Sequence, residues 1–306
     1  MKLPEELQFI ANARMEQKTT HARMDGRVCI ITGATSGVGY QAVRKLAEGG
    51  AQIVMVCRNR EKAETIQETL GREYGAHIEV VLADFSRFTE VRRAAATILD
   101  RYSHIDVLIN NAGMHNTYRQ LTEEGVEIVF YVNHLAPFLL TRLLLKRIKE
   151  SAPARIIQIS SQGHRFGGLD LNDLNWEQRR YKGLQGYGAS KVAQLLTVWQ
   201  LADQLEGSGV TINAMHPGAV KSNIGMNNGL LYRMYKRYFL WWFLKDPVIS
   251  GNAIYYLAAA PEMASVSGRY FNLTIDEKPA YYALDRSIEK RVWEISEILT
   301  GLASED

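Results

Sequence analysis

Cysteine is scarce in this chain: there are two in 306 residues, Cys29 and Cys57. Both stand inside apolar runs that read as adjacent strand interiors. This excludes a disulfide framework and makes a reducing cytosol, a cytoplasmic setting, the expected surroundings. An excess of charge of one sign is also missing. The 36 basic and 33 acidic side chains leave a formal net charge of +3, which gives no electrostatic basis for binding nucleic acid. Long apolar runs are few. Residues 1–24 are broken up by Lys2, Glu5, Glu6, Arg14, Glu16 and Lys18, so neither a signal peptide nor an anchor is expected there. That segment reads as a peripheral extension or a frayed helix. The greasy stretch Phe239-Leu240-Trp241-Trp242-Phe243-Leu244 is about a third of the roughly 20 residues a spanning helix needs. With Arg233, Lys236 and Arg237 beside it, it reads as a lid over a pocket or, alternatively, as a peripheral membrane contact through 231–244. Repeats, low-complexity tracts and Pro/Gly linkers are absent as well, which excludes an array of modules.

What is present is material for one large core, with 46% hydrophobic residues. The expected organisation is an N-terminal extension over 1–24 and a single domain over 25–306. From Asp25 onward, short apolar runs alternate with longer amphipathic ones: Val28 to Thr32, Ile53 to Val56, Ile78 to Leu82, Val107 to Ile109, Arg155 to Ile159 and Val210 to Met215. Near-continuous Val/Ile/Leu strands with helices between them predict an α/β fold: one doubly wound, Rossmann-type parallel sheet, buried on both faces and flanked by helices. Two connections, His164 to Gly186 and Lys221 to Pro247, exceed the usual few residues. Both are expected to shape a pocket, the second as an insertion over about 222–247.

The run Thr32-Gly33-Ala34-Thr35-Ser36-Gly37-Val38-Gly39 follows the first strand and opens a helical stretch, Tyr40 to Glu48. Glycines there permit a tight turn and let the backbone approach a pyrophosphate, which rests on the N–H groups and positive end of the helix. The second strand ends at Cys57-Arg58, where an NAD-binding chain usually presents an acid for the ribose hydroxyls. No carboxylate stands there. Arg58 offers a planar charged fork suited to a 2′-phosphate, with Lys62 one helical turn onward as a second cation; the alternative is a solvated loop charge.

Tyr187 and Lys191 are four apart, hence on one face of a helix. A phenol has an unperturbed pKa of about 10, and an adjacent ammonium lowers it by stabilising phenolate. A Tyr-x-x-x-Lys occurs by chance in many helices, so its neighbours carry the weight. Ser160-Ser161 ends an apolar strand at the carboxyl edge, where open parallel sheets bind ligands, although serines also serve as ordinary turn residues. Asn110-Asn111-Ala112-Gly113 ends another strand at the same edge. Asn133 is a polar side chain on an otherwise apolar helix, and a buried amide needs a partner: a water or a chain linked to Lys191.

Together, Thr32 to Gly39, Asp84, Asn110 to Gly113, Asn133, Ser161, Tyr187, Lys191 and Pro217-Gly218 resemble, in order and across about residues 25–272, the short-chain dehydrogenase/reductase family. The resemblance implies an NADP(H)-dependent oxidoreductase, without a metal, interconverting an alcohol and a carbonyl (aldehyde or ketone) on a bulky apolar substrate. It implies that Ser161 positions the substrate oxygen, that Tyr187 is the acid/base, that Lys191 lowers its pKa and holds the nicotinamide ribose, and that Asn133 anchors a relay water. For the cofactor it points to Gly33, Thr35, Ser36, Gly37, Val38 and Gly39 at the pyrophosphate, and to Arg58, Asn59 and Lys62 at the 2′-phosphate. Asp84 and Phe85 border the adenine, and Asn111, with Ala112 and Gly113, the adenosine-side ribose. Pro217, Gly218, Val220 and Ser222 lie toward the nicotinamide. Val56-Cys57-Arg58-Asn59, Leu121 to Gly125, Val132-Asn133-His134-Leu135 and the 26-residue step from Ser161 to Tyr187 look like the retinol-dehydrogenase-like branch, close also to light-dependent protochlorophyllide reductases. The alternatives are reduction of a carbon–carbon double bond and a non-catalytic dinucleotide-sensing scaffold. A homodimer is a further expectation, against which the segment Ala280 to Asp306 stands as a cover for pairing surfaces.

Overall fold

The computed structural model describes residues 8–12, 14–221 and 244–302. Strands β1 (Val28–Thr32), β2 (Gln52–Cys57), β3 (Ile78–Leu82), β4 (Val107–Asn110), β5 (Ala154–Ile159), β6 (Val210–His216) and β7 (Tyr270–Asn272) form one sheet in the order β3-β2-β1-β4-β5-β6-β7. All seven run parallel, and β8 (Ile275–Asp276) closes the edge antiparallel to β7. Each of the six expected strands is present, with ends shifted by one residue at most. The last two were not anticipated, because three and two residues are too few to show a period.

Successive strand side chains point to opposite faces, and the two faces fill two cores. Ile30, Val54, Leu108 and Ile156 meet α4 (Phe88–Arg101), α6 (Ala136–Glu150) and α7 (Gly183–Gln204). Cys29, Ile31, Ile53, Met55 and Ile157 meet α2 (Gly37–Glu48), α3 (Arg60–Tyr74) and α8 (Val248–Ala259). Every residue of β1 is buried, which is why the strands read as continuous apolar runs. Cys29 and Cys57 are buried free thiols, and burial pushes the Cys57 thiol up to about 11.

The helical stretch 128–150 joins α5 (Ile128–Phe130) to α6 through a π-helical turn, Tyr131–Leu135. It is a longer apolar stretch than Phe239 to Leu244 and, by length and composition, enough to cross a bilayer, yet 78% of its most apolar window is buried inside the fold. It is packed as a core helix. Helix α9 (Arg286–Thr300) lies across α6 and α7: Trp293 meets Phe138 edge-on at 5.0 Å, His134 Nε2 bonds Ser296 Oγ at 2.8 Å, and Arg142 pairs with Glu297.

Over the described part, the segment 1–24 lies at the periphery, its described side chains exposed or half-buried as far as Arg23, but it is not loose. Helix α1 (Gln8–Asn12) and the run after it are bonded to the β7–β8 hairpin. Asn12 Nδ2 donates to Glu277 Oε2 (2.9 Å), Asn272 Nδ2 to Phe9 O (3.0 Å) and Lys18 N to Thr274 Oγ1 (2.8 Å). Glu277, 6% exposed, also accepts from Gln162 Nε2 (2.6 Å), Asn272 Nδ2 (2.9 Å) and Arg165 Nη2 (3.2 Å), and Arg165 lies over Phe9. No hydrophobic pattern announces such a segment, because polar bonds hold it, one of them to the buried Glu277 carboxylate.

Glu277→Leu strands these donors and unpairs Arg165. Breaking a buried pair from one side costs about 3–5 kcal/mol, so the urea midpoint should fall clearly, and trypsin should cut faster at Arg14, Lys18 and Arg23. Wild-type resistance on both counts would show that Glu277 does not hold the extension.

Candidate active site

A parallel sheet delivers its strand ends to one edge, and β1, β4, β5 and β6 all run into the segments singled out from sequence. The ends of β1 and β4 are stitched together. The Thr32 hydroxyl accepts from Asn111 N and Ala112 N, both at 2.9 Å, while Asn111 Nδ2 donates to Thr32 O (2.8 Å) and Gly33 O (3.0 Å). Gly39 presses on this seam: a Cβ there would lie 2.5 Å from Asn111 Nδ2 and from Gly33 O. Both amide protons of Asn111 are thereby spent within the protein, so toward a ribose only its Oδ1 remains.

Helix α2 begins at Gly37, with φ +54°, ahead of the expected start at Tyr40. Its N-cap, Ser36, makes no side-chain capping bond, whereas Asn59 caps α3 by accepting from Lys62 N and Asp285 caps α9. The first turn of α2, which follows Gly33 and Thr35 and holds Val38, is thus left without a capping side chain. N–H donors at a positive helix end fit a pyrophosphate. At the end of β2, Arg58 and Lys62 are exposed, and among the described residues Arg58 has no carboxylate partner. Asn59 is committed to its cap. Asp84, just past β3, accepts from Ser86 N (2.9 Å) and Ser86 Oγ (2.8 Å), and Phe85 is buried.

Ser161 and Tyr187 are brought together by a glycine that sequence reasoning missed. A Cβ on Gly163 would lie 2.4 Å from Tyr187 Cε1 and 3.2 Å from Ser161 Oγ, so only a residue without a side chain lets the phenol ring pass this close. Ser161 Oγ accepts from Gly163 N at 2.9 Å, which leaves its O–H to donate. His164 braces the same turn. Its Nε2 accepts from Ala280 N (3.1 Å), so Nδ1 carries the proton and donates to Ser161 O (2.7 Å); burial pushes this imidazole down to about 4. His115, also missed, is buried with its ring edge-on to Tyr187 at 5.6 Å.

Lys191, one turn after Tyr187 on α7, is 3% exposed, and its Nζ lies 5.5 Å from the Tyr187 ring centre. It donates to Ile159 O (3.1 Å) and Gln194 Oε1 (3.0 Å). Burial pushes the ammonium down to about 7. Asn133 is saturated by protein partners: Nδ2 donates to Met114 O and Ser190 Oγ, both at 3.0 Å, and Oδ1 accepts from Met114 N at 2.7 Å. Its side chain thus ties the turn at Gly113 to α7, and its main-chain carbonyl accepts from Gln194 Nε2.

Helix α7 starts at Gly183, so the first long connection shrinks to 167–182. That loop is largely a brace: Asp173 accepts from Glu177 N and Arg179, Arg179 stacks on Trp176 at 3.7 Å, and Tyr181 OH donates to Glu127. Past β6, Pro217, Gly218 (φ +88°) and buried Val220 stand at the same edge as Ser161. Ser222 and the stretch 222–243, with Trp241, Trp242 and the residues read as a lid or membrane contact, lie outside the described residues. Gly163 and His115 left no signal beyond their nearness to Ser161 and Gly113. Gln194, three residues past Lys191, was legible from helical spacing.

The sequence model described as "short chain dehydrogenase" matches residues 27–230. Retinol dehydrogenase 13 of Homo sapiens is 38% identical over 286 residues, covering 92% of this chain and 86% of that protein. Retinol dehydrogenase 14 of Homo sapiens is 38% identical over 295 residues, covering 91% and 88%. Among solved structures, an uncharacterized protein from Mycobacterium Paratuberculosis superposes with a TM-score of 0.73 at 30% identity, covering 94% of this chain and 98% of that one.

Gly39→Ala should open the β1–β4 seam. Overpacking of this kind costs about 1–3 kcal/mol, so the melting temperature should fall and dinucleotide affinity should drop, as read by NADPH fluorescence titration. Unchanged melting and binding would mean that the seam absorbs a methyl group.

Proposed function

The chain belongs to the short-chain dehydrogenase family of oxidoreductases, whose fold binds a nicotinamide dinucleotide, and we propose that it uses NADP(H) to interconvert an alcohol and a carbonyl on a bulky apolar substrate. The observation that carries this reading is the convergence of Ser161, Tyr187 and Lys191 near Gly163, with one hydroxyl donor to spare, one phenol and one buried ammonium.

The nicotinamide, when bound, supplies or takes up the hydride. The rest belongs to this chain. Ser161, with Oγ already accepting from Gly163 N, donates its O–H to the substrate oxygen and orients it. Tyr187 gives its proton to that oxygen in reduction and removes it in oxidation, and the charge of Lys191 favours the phenolate left behind. The uncapped start of α2 and the loop from Gly33 to Gly39 hold the pyrophosphate, while Arg58 and Lys62 meet the 2′-phosphate. Ser161's spare donor calls for an acceptor oxygen on the reacting carbon, which favours alcohol/carbonyl chemistry over reduction of a carbon–carbon double bond; analysis of the product separates the two. An apolar substrate is supported by Leu184, one turn before Tyr187, and Phe166, against Gly188, which are 55% and 50% exposed. Retinol, which the relatives carry in their names, is one such molecule.

Tyr187→Phe removes one oxygen and keeps the ring against Gly163. Turnover should fall by about 10²–10⁴-fold at every substrate concentration, with NADPH affinity and melting temperature close to wild type. Retention of more than about a tenth of the rate, on an alcohol or carbonyl that the wild type converts, would move the proton donor to another residue.

Arg58→Asp should reverse the dinucleotide preference. Loss of a charge-assisted contact costs about 1.5–3 kcal/mol, roughly tenfold to a hundredfold in affinity. Equal binding of NADPH and NADH by the wild type would remove Arg58 from the 2′-phosphate.

A further inference from the structure

An ammonium has three N–H donors and no acceptor. Lys191 spends one on Ile159 O and one on Gln194 Oε1, which leaves one for the site. Gln194 shares its helix face, three positions on, and is 2% exposed. The far end of its amide donates to the Asn133 carbonyl. These partners fix which way the amide points, because an ammonium only donates and a carbonyl only accepts. The α-helical donor to this carbonyl would come from residue 137, which is proline and has no N–H. Behind Gln194 lies a cavity of about 20 Å³ whose polar lining includes His134, Thr141, Gln158 and Thr197. Gln158 Nε2 is buried without a protein partner among the described residues, and the space suffices for about one water. Gln194 therefore stands as a neutral partition between the lysine and this polar recess.

Resting on the reading above, we propose that Gln194 is a positioning residue for Lys191: anchored on the Asn133 carbonyl, its amide oxygen orients the ammonium toward Tyr187 and sustains its charge inside the protein. The titratable groups around this lysine are Tyr187 on α7, His134 in the π-helical turn, His115 against the Tyr187 ring, and His164 and His216 past β5 and β6. Burial pushes His134 and His216 down to about 3 and His164 down to about 4. These three imidazoles are therefore neutral wherever the lysine titrates. No carboxylate pairs with Lys191 among the described residues, so Gln194 Oε1 and Ile159 O are the acceptors on which its charge rests.

Two substitutions separate positioning from packing, read in the pH profile of carbonyl reduction at saturating NADPH. Gln194→Met keeps the volume and removes the acceptor; the ammonium is destabilised, and the alkaline limb moves down by about one pH unit, a tenfold change in proton affinity. Gln194→Glu offers a stronger acceptor, and the limb moves up. Limbs that stay put, or move the same way in both variants, overturn the proposal. A wild type that converts no alcohol or carbonyl defeats the proposed reaction instead. Gln194 is then judged by NMR titration of the ¹⁵N-labelled Lys191 ammonium in the NADPH-bound protein, assigned with Lys191→Arg. Displacement in opposite directions by the two variants sustains it, and no displacement overturns it. The glutamate arm of the titration decides alone where the methionine variant does not fold.

Discussion

The hydrogen bonds that stitch the end of β1 to the end of β4 are the constraint from which the rest of the site is hung. One hydroxyl, on Thr32, takes two backbone donors from the neighbouring strand end, and Asn111 returns two of its own. From there the contacts run outward without a gap. The turn at Gly113 and Met114 is held by Asn133, Asn133 is held by Ser190 on α7, and Ser190 lies between Tyr187 and Lys191. The glycine-rich loop and the Tyr187–Lys191 pair are thus two ends of one bonded path.

That path crosses the least apolar part of the interior. Asn133, His134, Ser190, Lys191, Gln194 and Gln158 are all buried within a few residues of one another along the π-helical turn, α7 and β5. Burying such groups is costly unless each is partnered. The chain meets most of the requirement by lending side chains across elements: Gln194 to a main-chain carbonyl, Ser296 of α9 to His134, Thr141 to the Asn110 amide nitrogen; the Gln158 amide nitrogen is left without a protein partner among the described residues. The last helix is for this reason part of the site's support, since its serine satisfies a histidine adjacent to Asn133.

Much of the fold was legible because strands buried on both faces have no choice but to be continuously apolar, and the helices between them have one apolar side. The elements that escaped are those without a period: β7, β8 and the N-terminal run, held by backbone pairing and by Glu277. At the site, residue types were readable but their bonds were not. Asn59 and Asn111 looked available to a nucleotide, and the structure shows the Asn59 oxygen capping α3 and the Asn111 amide protons spent on the seam. Sequence spacing tells which side chains share a face; it does not tell which donors folding has already used.

The small parallel bridge between Val220 and Lys245 bears on how such a protein can change over time. With Lys221 N bonded to Lys245 O and Lys245 N to Ala219 O, the two ends of the intervening stretch are fastened to each other next to the sheet. Closing a longer chain over the same ends costs little, about 0.6 kcal/mol for each doubling of length. A change of length between these two residues therefore carries only a small closure cost. A lineage can lengthen the chain there while keeping the same two anchor points on the sheet.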